Sequence, residues 1–155
     1  MKKLLLVLIA IIGLSFAAHA QNKAIGLRLG GGQGYGAELS YQQGLGGMHR
    51  LEADLGYRSY YSSGYLSLVA LYQAHFDIAA VPNLGWYVGA GPRVDLYTSA
   101  GYSSVSLGIC GQAGVDYHLD ALPIQLSLDI RPCFLVYPTT YFYWGDIALG
   151  VRYMF

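Results

Sequence analysis

Charge is scarce in this chain. Asp, Glu, Lys and Arg make up 12% of its 155 residues, about half the share usual in a soluble domain. Lysine does not occur after Lys23. Low charge beside 54% hydrophobic and 14% aromatic residues excludes disorder, which needs high charge and few aromatics. Basic and acidic residues balance at nine each, with no basic run, so a nucleic acid is not an expected partner. Cysteine is nearly absent: Cys110 and Cys133 are the two occurrences, and neither lies near the N-terminus, where a lipoprotein would carry its anchor. After residue 20 no run of 18 apolar residues occurs, which excludes a helical membrane span. What the chain has in abundance is Gly, at 21, and Tyr, at 15.

The one long apolar run is at the start. Lys2 and Lys3 precede Leu4–Ala18, and Ala18-His19-Ala20 places small residues where a signal peptidase requires them. The run falls short of the roughly 20 residues of a spanning helix. Residues 1–20 are therefore read as a signal peptide cut before Gln21, and residues 21–155 as one domain. The mature chain then carries seven Lys and Arg against nine Asp and Glu, a net charge of −2.

From residue 25 onward the hydrophobic period is two. Ile25, Leu27 and Leu29 alternate with Gly26, Arg28 and Gly30. The same alternation runs through Ala37–Gln42, Leu51–Arg58, Leu66–Asp77, Trp86–Leu96, Val105–His118, Ile124–Phe134 and Asp146–Phe155. Eight strands are expected. All thirteen Asp, Glu and Arg in these segments fall on the polar phase. Val69 and Leu71 break the pattern, being apolar on that phase.

Two architectures use such strands. A soluble sandwich buries the apolar face; a transmembrane barrel turns it to lipid and keeps the polar face inside. Three features favour the barrel. Lysine is missing. Several strands reach the roughly 9–11 residues needed to cross a bilayer at a tilt. Aromatics gather at strand ends, as in interfacial girdles. Tyr41, Phe76, Trp86, Tyr117 and Phe155 mark one rim. Tyr60, Tyr61, Tyr65, Tyr97, Tyr102, Tyr137, Tyr141, Tyr143 and Trp144 mark the other. The expected fold is all-β: an eight-stranded antiparallel up-and-down transmembrane β-barrel. An even strand number puts both termini on one side. Turns are expected at Gly44–Gly47, Val81–Asn83 and Asp120–Pro123. The opposite links fall near Gly32, at Ser62–Gly64, Thr98–Ser104 and Tyr137–Tyr143. Pro92 and Pro132 lie on the apolar phase inside strands, and each is expected to mark a bulge.

A signal peptide, about 135 further residues, eight amphipathic strands and a terminal Tyr153-Met154-Phe155 resemble the small outer-membrane β-barrel proteins of Gram-negative bacteria. Leu51–Tyr61, Trp86–Pro92 and Tyr141–Arg152 look most like uncharacterised barrels of the Bacteroidota. The resemblance implies an outer-membrane location with both termini periplasmic. It implies recognition of Phe155, with Tyr153, Val151 and Leu149, by the barrel-assembly machinery, contact with outer-membrane lipid and lipopolysaccharide, and a porin-like architecture. The group includes adhesins, lipid A-modifying enzymes and barrels of unknown role, so activity does not follow from it.

The lumen is expected to hold Glu38, Glu52, Asp54, Asp77, Asp95, Asp116, Asp129 and Asp146 with Arg28, Arg58, Arg93, Arg131 and Arg152. Eight strands leave room for little more than side chains, so a packed network of ion pairs is the favoured reading and a narrow ion path the alternative. His75, Asp77, Asp116 and His118 share one end of the lumen and have the donor chemistry of a zinc site. A hydrogen-bonded cluster is favoured over a metal there, and no cofactor is implied. The Asp120–Pro123 turn sets a register that places Cys110 opposite Cys133 on the lumen face, within reach of a disulfide. A bond and two free thiols both fit. No His-x-Ser pattern of the lipid A deacylases occurs, and the outer links carry serines but no histidine to activate them. The expected role is that of a non-enzymatic, monomeric barrel, structural or surface-interacting, with Tyr60, Tyr61, Tyr102, Tyr141 and Tyr143 as its contact rim. A conduit for small solutes or lipophiles, and a lipid A-modifying enzyme, are the alternatives.

Overall fold

The structure, a computed structural model, describes residues 23–30, 36–60, 63–99 and 101–155, with their side chains except those of residues 58–60 and 146. Residues 1–20, the link near Gly32, Tyr61 and Ser62 thus lie outside the described residues, as do the side chains of Arg58, Tyr60 and Asp146.

The alternating segments form eight strands: β1 (Lys23–Gly30), β2 (Gly36–Gly46), β3 (His49–Tyr60), β4 (Ser63–Asp77), β5 (Leu84–Ser99), β6 (Tyr102–His118), β7 (Ile124–Tyr137) and β8 (Tyr141–Met154). Each pairs antiparallel with its sequence neighbours, and β8 returns to β1 to close the barrel. At the seam Arg28 faces Gly150 and Leu27 faces Val151. Lys23 and Phe155 exchange backbone hydrogen bonds of 3.3 and 2.8 Å at one rim. Closure leaves no free edge, the condition for a sheet in hydrocarbon.

The faces are inverted relative to a soluble protein. Leu27, Leu55, Leu68, Leu128 and Leu149 point outward, Leu149 with 60% of its surface exposed. Arg28, Glu38, Glu52, Asp54, Asp129, Arg131 and Arg152 point inward, each 3% exposed or less. Such an exterior is stable against lipid and not against water. The sandwich alternative, which buries the apolar face, is therefore not the fold.

Strands β4 to β8 run 14 to 17 residues. At ~3.3 Å per residue and a ~40° tilt, the longest rises about 40 Å, more than the roughly 30 Å hydrocarbon core. The links at the rim opposite Lys23 are shorter than the sequence suggests. Strands continue to Ser99 and resume at Tyr102, and continue to Tyr137 and resume at Tyr141. Thr98, Ser103, Ser104 and Tyr141–Tyr143 are strand residues, because alternation extends past the last aliphatic side chain.

The two prolines behave differently from each other. Pro92 makes no bulge: Val69–Arg93 and Tyr72–Ala90 keep one register on either side of it, and Pro92 itself stands opposite Ile109. The fixed φ of proline suits a strand, so the ladder loses rungs there without losing phase. At Pro132 the register does shift, between Arg131 and Cys133, but the extra residue belongs to β8. There Gly145 adopts φ 87°, a conformation that favours glycine, in a β-bulge. The bulge reverses the phase of β8. Phe142 and Trp144 face outward, Trp144 with 76% exposed, and Tyr143 turns inward against the Cys110–Cys133 cluster. Tyr143 is therefore not part of the outward rim that the sequence suggests. A further shift lies between Leu107 and Gly108, opposite Leu135–Tyr137.

Candidate functional site

The alternation that builds the wall also stacks polar side chains in layers along the lumen. At its centre is Glu52, projected from β3. Gln42 and Gln73 donate to its Oε2 at 2.5 and 3.0 Å, and Gln112 to its Oε1 at 3.0 Å. Arg131 donates to Oε1 at 3.2 Å and Arg152 to Oε2 at 3.3 Å. These donors come from β2, β4, β6, β7 and β8, so one carboxylate ties five strands to a sixth. Arg131 also reaches Glu38 at 2.9 Å and bonds Asp54. Arg28 bridges Glu38 at 3.1 Å and Asp129 at 2.6 Å. Charges this deep in a low-dielectric interior persist only when paired, and the pairing here is shared among several strands. Glycine on the polar phase provides the room: a Cβ at Gly150 would stand 2.5 Å from Arg152 Nη1, and one at Gly114 would stand 2.7 Å from the Tyr87 ring.

Toward the Lys23–Phe155 rim the layer changes. Arg50 donates to Asp116 at 2.9 Å and to Gln73 at 2.6 Å, with its guanidinium 4.7 Å from the Tyr87 ring centroid. His75 contacts the other Asp116 oxygen at 2.8 Å and stacks on His118 at 6.4 Å. His75, Asp116 and His118 are thus brought together. Asp77 is not: it lies at the strand end with its side chain 95% exposed, 3.9 Å from His75. The expectation that Asp77 faces the lumen fails because β4 ends there and leaves the barrel. Both Asp116 oxygens are already bonded, one by Arg50 and Gln125 and the other by His75, and among the described residues no three His, Cys, Asp or Glu are arranged to hold a metal ion. His49 lies on the outer wall, bonded to Tyr72 at 2.7 Å. A cavity of about 150 Å³ opens at this rim between Arg50, His75, His118 and Lys23.

Toward the opposite rim the interior turns apolar. Val69 and Leu71 pack against Cys110 and Cys133. The two cysteines face each other across the β6–β7 ladder and are joined in a disulfide. Extracted without reductant, the protein is expected to take up no iodoacetamide, and to take up two equivalents after reduction. Labelling before reduction would reject the bond and leave the register standing.

Above this belt lies a cup of about 450 Å³ that opens at the rim opposite Lys23 and Phe155. Arg93 and Asp95 form part of its floor, with Arg93 Nε donating to both Asp95 oxygens at 2.9 Å. Arg93 Nη2 donates to the Tyr65 hydroxyl at 3.0 Å. Tyr65, Tyr97, Tyr141, Tyr143 and Leu135 form the walls, with Ser63 and Ser106 among them. Ser63 is bonded to Tyr97 at 3.0 Å and to Ser99 at 2.9 Å. Tyr102 and Tyr141 are exposed at the rim.

Sequence reasoning misses Arg50, four glutamines and the inward turn of Tyr143. Arg50 shares the parity of Glu52 and Asp54, and starting the strand one residue earlier would have found it. Gln42, Gln73, Gln112 and Gln125 are inward-facing by parity, but being neutral they carry no charge that marks them as part of the network. Tyr143 was hidden by the bulge.

No family model matches the chain, and no curated protein matches it in sequence. Solved structures do match. Neisserial surface protein A is 17% identical with a TM-score of 0.61, over 86% of this chain and 95% of that one. The N-terminal β-barrel domain of Pseudomonas aeruginosa OprF is 16% identical with a TM-score of 0.68, over 88% and 100%. The fold is that of a small outer-membrane β-barrel. The crystal structure of Ail, the attachment invasion locus protein of Yersinia pestis, is similar at 14% identity with a TM-score of 0.53, over 87% and 97%. At these identities the likeness is one of architecture, and it leaves the cup and the Glu52 layer as features of this chain.

Proposed function

We propose that this protein is a non-enzymatic barrel of the Gram-negative outer membrane, exported by residues 1–20, with both termini periplasmic and a structural or surface-interaction role. The observation that carries the reading is the contrast between the two halves of the lumen. Its middle is filled by the Glu52-centred network, while its outer end is an open cup. A filled middle argues against passage of solutes. Among the described residues the histidines stand at the Lys23–Phe155 rim, far from the outer serines, which argues against a serine hydrolase at the outer leaflet. The Tyr-rich rim, with lipopolysaccharide as its neighbour, supports contact with surface molecules. The segments Leu51–Tyr61, Trp86–Pro92 and Tyr141–Arg152 support a place among the barrels of the Bacteroidota, and Phe155 supports delivery by the barrel-assembly machinery.

Two measurements test this. Mass spectrometry of lipid A from cells with and without the gene is expected to show the same acyl pattern. Purified protein in a planar bilayer is expected to give no discrete conductance steps. A changed acyl pattern would replace the reading with an enzymatic one, and regular steps would replace it with a conduit.

A further inference from the structure

The outer cup has the chemistry of a ligand site, and its composition narrows the ligand. Its volume of about 450 Å³ falls in the range of small-molecule sites, roughly 300–1,000 Å³. The charged groups on its floor are Arg93 and Asp95, and they neutralise each other. A cation or an anion therefore gains no net attraction there. Arg93 is 6% exposed and held from two sides, by Asp95 and by Tyr65. Among the described residues its Nη1 has the Cys133 sulfur for a partner, at 3.7 Å. Sulfur is a weak acceptor, so this nitrogen keeps donor capacity at the floor of the cup. Asp95 is 2% exposed with both oxygens turned to Arg93, so the floor offers chiefly a donor, and the tyrosine and serine hydroxyls above it offer donors and acceptors, the pattern that adjacent hydroxyls on a ring satisfy. The walls supply the rest. Four tyrosines bring aromatic rings and hydroxyls to the lining, and Ser106 adds a hydroxyl. A fitting ligand is neutral, carries adjacent hydroxyls, and has an apolar C–H face to lay on an aromatic ring.

We infer that the outer cup binds a neutral pyranose of a glycan. The inference rests on the reading that this end of the barrel faces outward, and it gives the surface-interaction role a ligand class. Two sources share this chemistry: the sugar portion of the resident lipopolysaccharide and a free or foreign glycan.

The test is an NMR titration of the full mature protein in phospholipid nanodiscs. The probes are methyl β-glucopyranoside, methyl β-galactopyranoside, methyl α-mannopyranoside and maltose, with glucuronate and glucosamine as charged counterparts and 1-hexanol as a lipophile. Saturable shifts of tyrosine ring signals by at least one neutral sugar are expected. Tyr141→Ala, at an exposed position, is expected to weaken binding roughly three- to tenfold. Ser106→Trp, which fills the cup, is expected to abolish it. Tyr137→Ala, outside the cup lining, is expected to leave it unchanged. Each variant is first shown to keep the heat-modifiable gel shift of a folded barrel. A second set of nanodiscs carries lipopolysaccharide with a neutral polysaccharide. Weaker binding of the free sugar there identifies the resident glycan as the occupant, and unchanged binding identifies a free or foreign one. Absence of saturable binding by every neutral sugar, preference for a charged sugar or hexanol, or insensitivity to Ser106→Trp would overturn the assignment. That failure would leave the barrel reading intact, since lipid A composition and conductance test it separately.

Discussion

Replacing Glu52 with leucine is expected to destabilise the barrel by about 3–5 kcal/mol, the cost of removing one partner of a buried, bonded charge set. Two guanidiniums and three carboxamides converge on this carboxylate. Leucine would remove their acceptor and leave the donors buried, where each unsatisfied group costs free energy. Arg131 retains Glu38 and Asp54, whereas Arg152 retains the hydroxyls of Ser40 and Ser127, so Arg152 is the group left worse off. Glu52→Gln, which keeps the shape and an acceptor oxygen, is expected to cost less than the leucine. Urea unfolding in phospholipid vesicles, followed by tryptophan fluorescence, measures both. A leucine variant as stable as the parent would mean that water already satisfies these donors and that the centre of the lumen is wet.

The second large effect is on the other face. Leu149 lies about midway between Tyr153 and Trp144 on β8 and points outward, opposite Leu29 and Leu128. Leu149→Arg is expected to cost ~2–4 kcal/mol, as a charge placed at the bilayer midplane does, while the same change at Leu122 in the Asp120–Pro123 turn is expected to cost less than about 1 kcal/mol. The contrast matters more than either value. In water the guanidinium would be solvated at both positions and the two costs would converge. The difference between them therefore reports lipid against the wall. The same unfolding assay reads it, and equal costs would reject a membrane-embedded exterior.

Much of this molecule is legible in its sequence because a barrel wall has one rule. A period of two, kept over eight segments, fixes which side chains face in. The turn at Asp120–Pro123 then fixes a register: His118–Gln125, Asp116–Ser127, Gly114–Asp129 and Cys110–Cys133 are all opposite one another. What a period cannot carry is a local insertion. Gly145 adds one residue to β8, and from that point back to Tyr141 the parity of every side chain is reversed, which hides Tyr143 from the cup. Nor does a period show where a strand leaves the barrel, and so Asp77 counts as inward by parity while standing in the open. Val69 and Leu71 are the reverse lesson. They read as errors in the pattern, yet they are apolar for a reason: they pack on the disulfide and form the belt between the ion-pair network and the cup. The composition of the cup is visible in the sequence but its assembly is not, because Arg93, Tyr65 and Tyr141 come from three strands whose ends opposite the Lys23 rim are brought together by closure.

The strict alternation also governs the molecule before it is assembled. Along residues 23–155 most apolar side chains are followed by a polar one or a glycine, so no single stretch is greasy enough to lodge in a bilayer. The greasy belt comes into being when β8 meets β1. Affinity for lipid is thus a property of the finished ring and of none of its parts. A chain built this way can be threaded through one membrane without stopping and still be held permanently in the next.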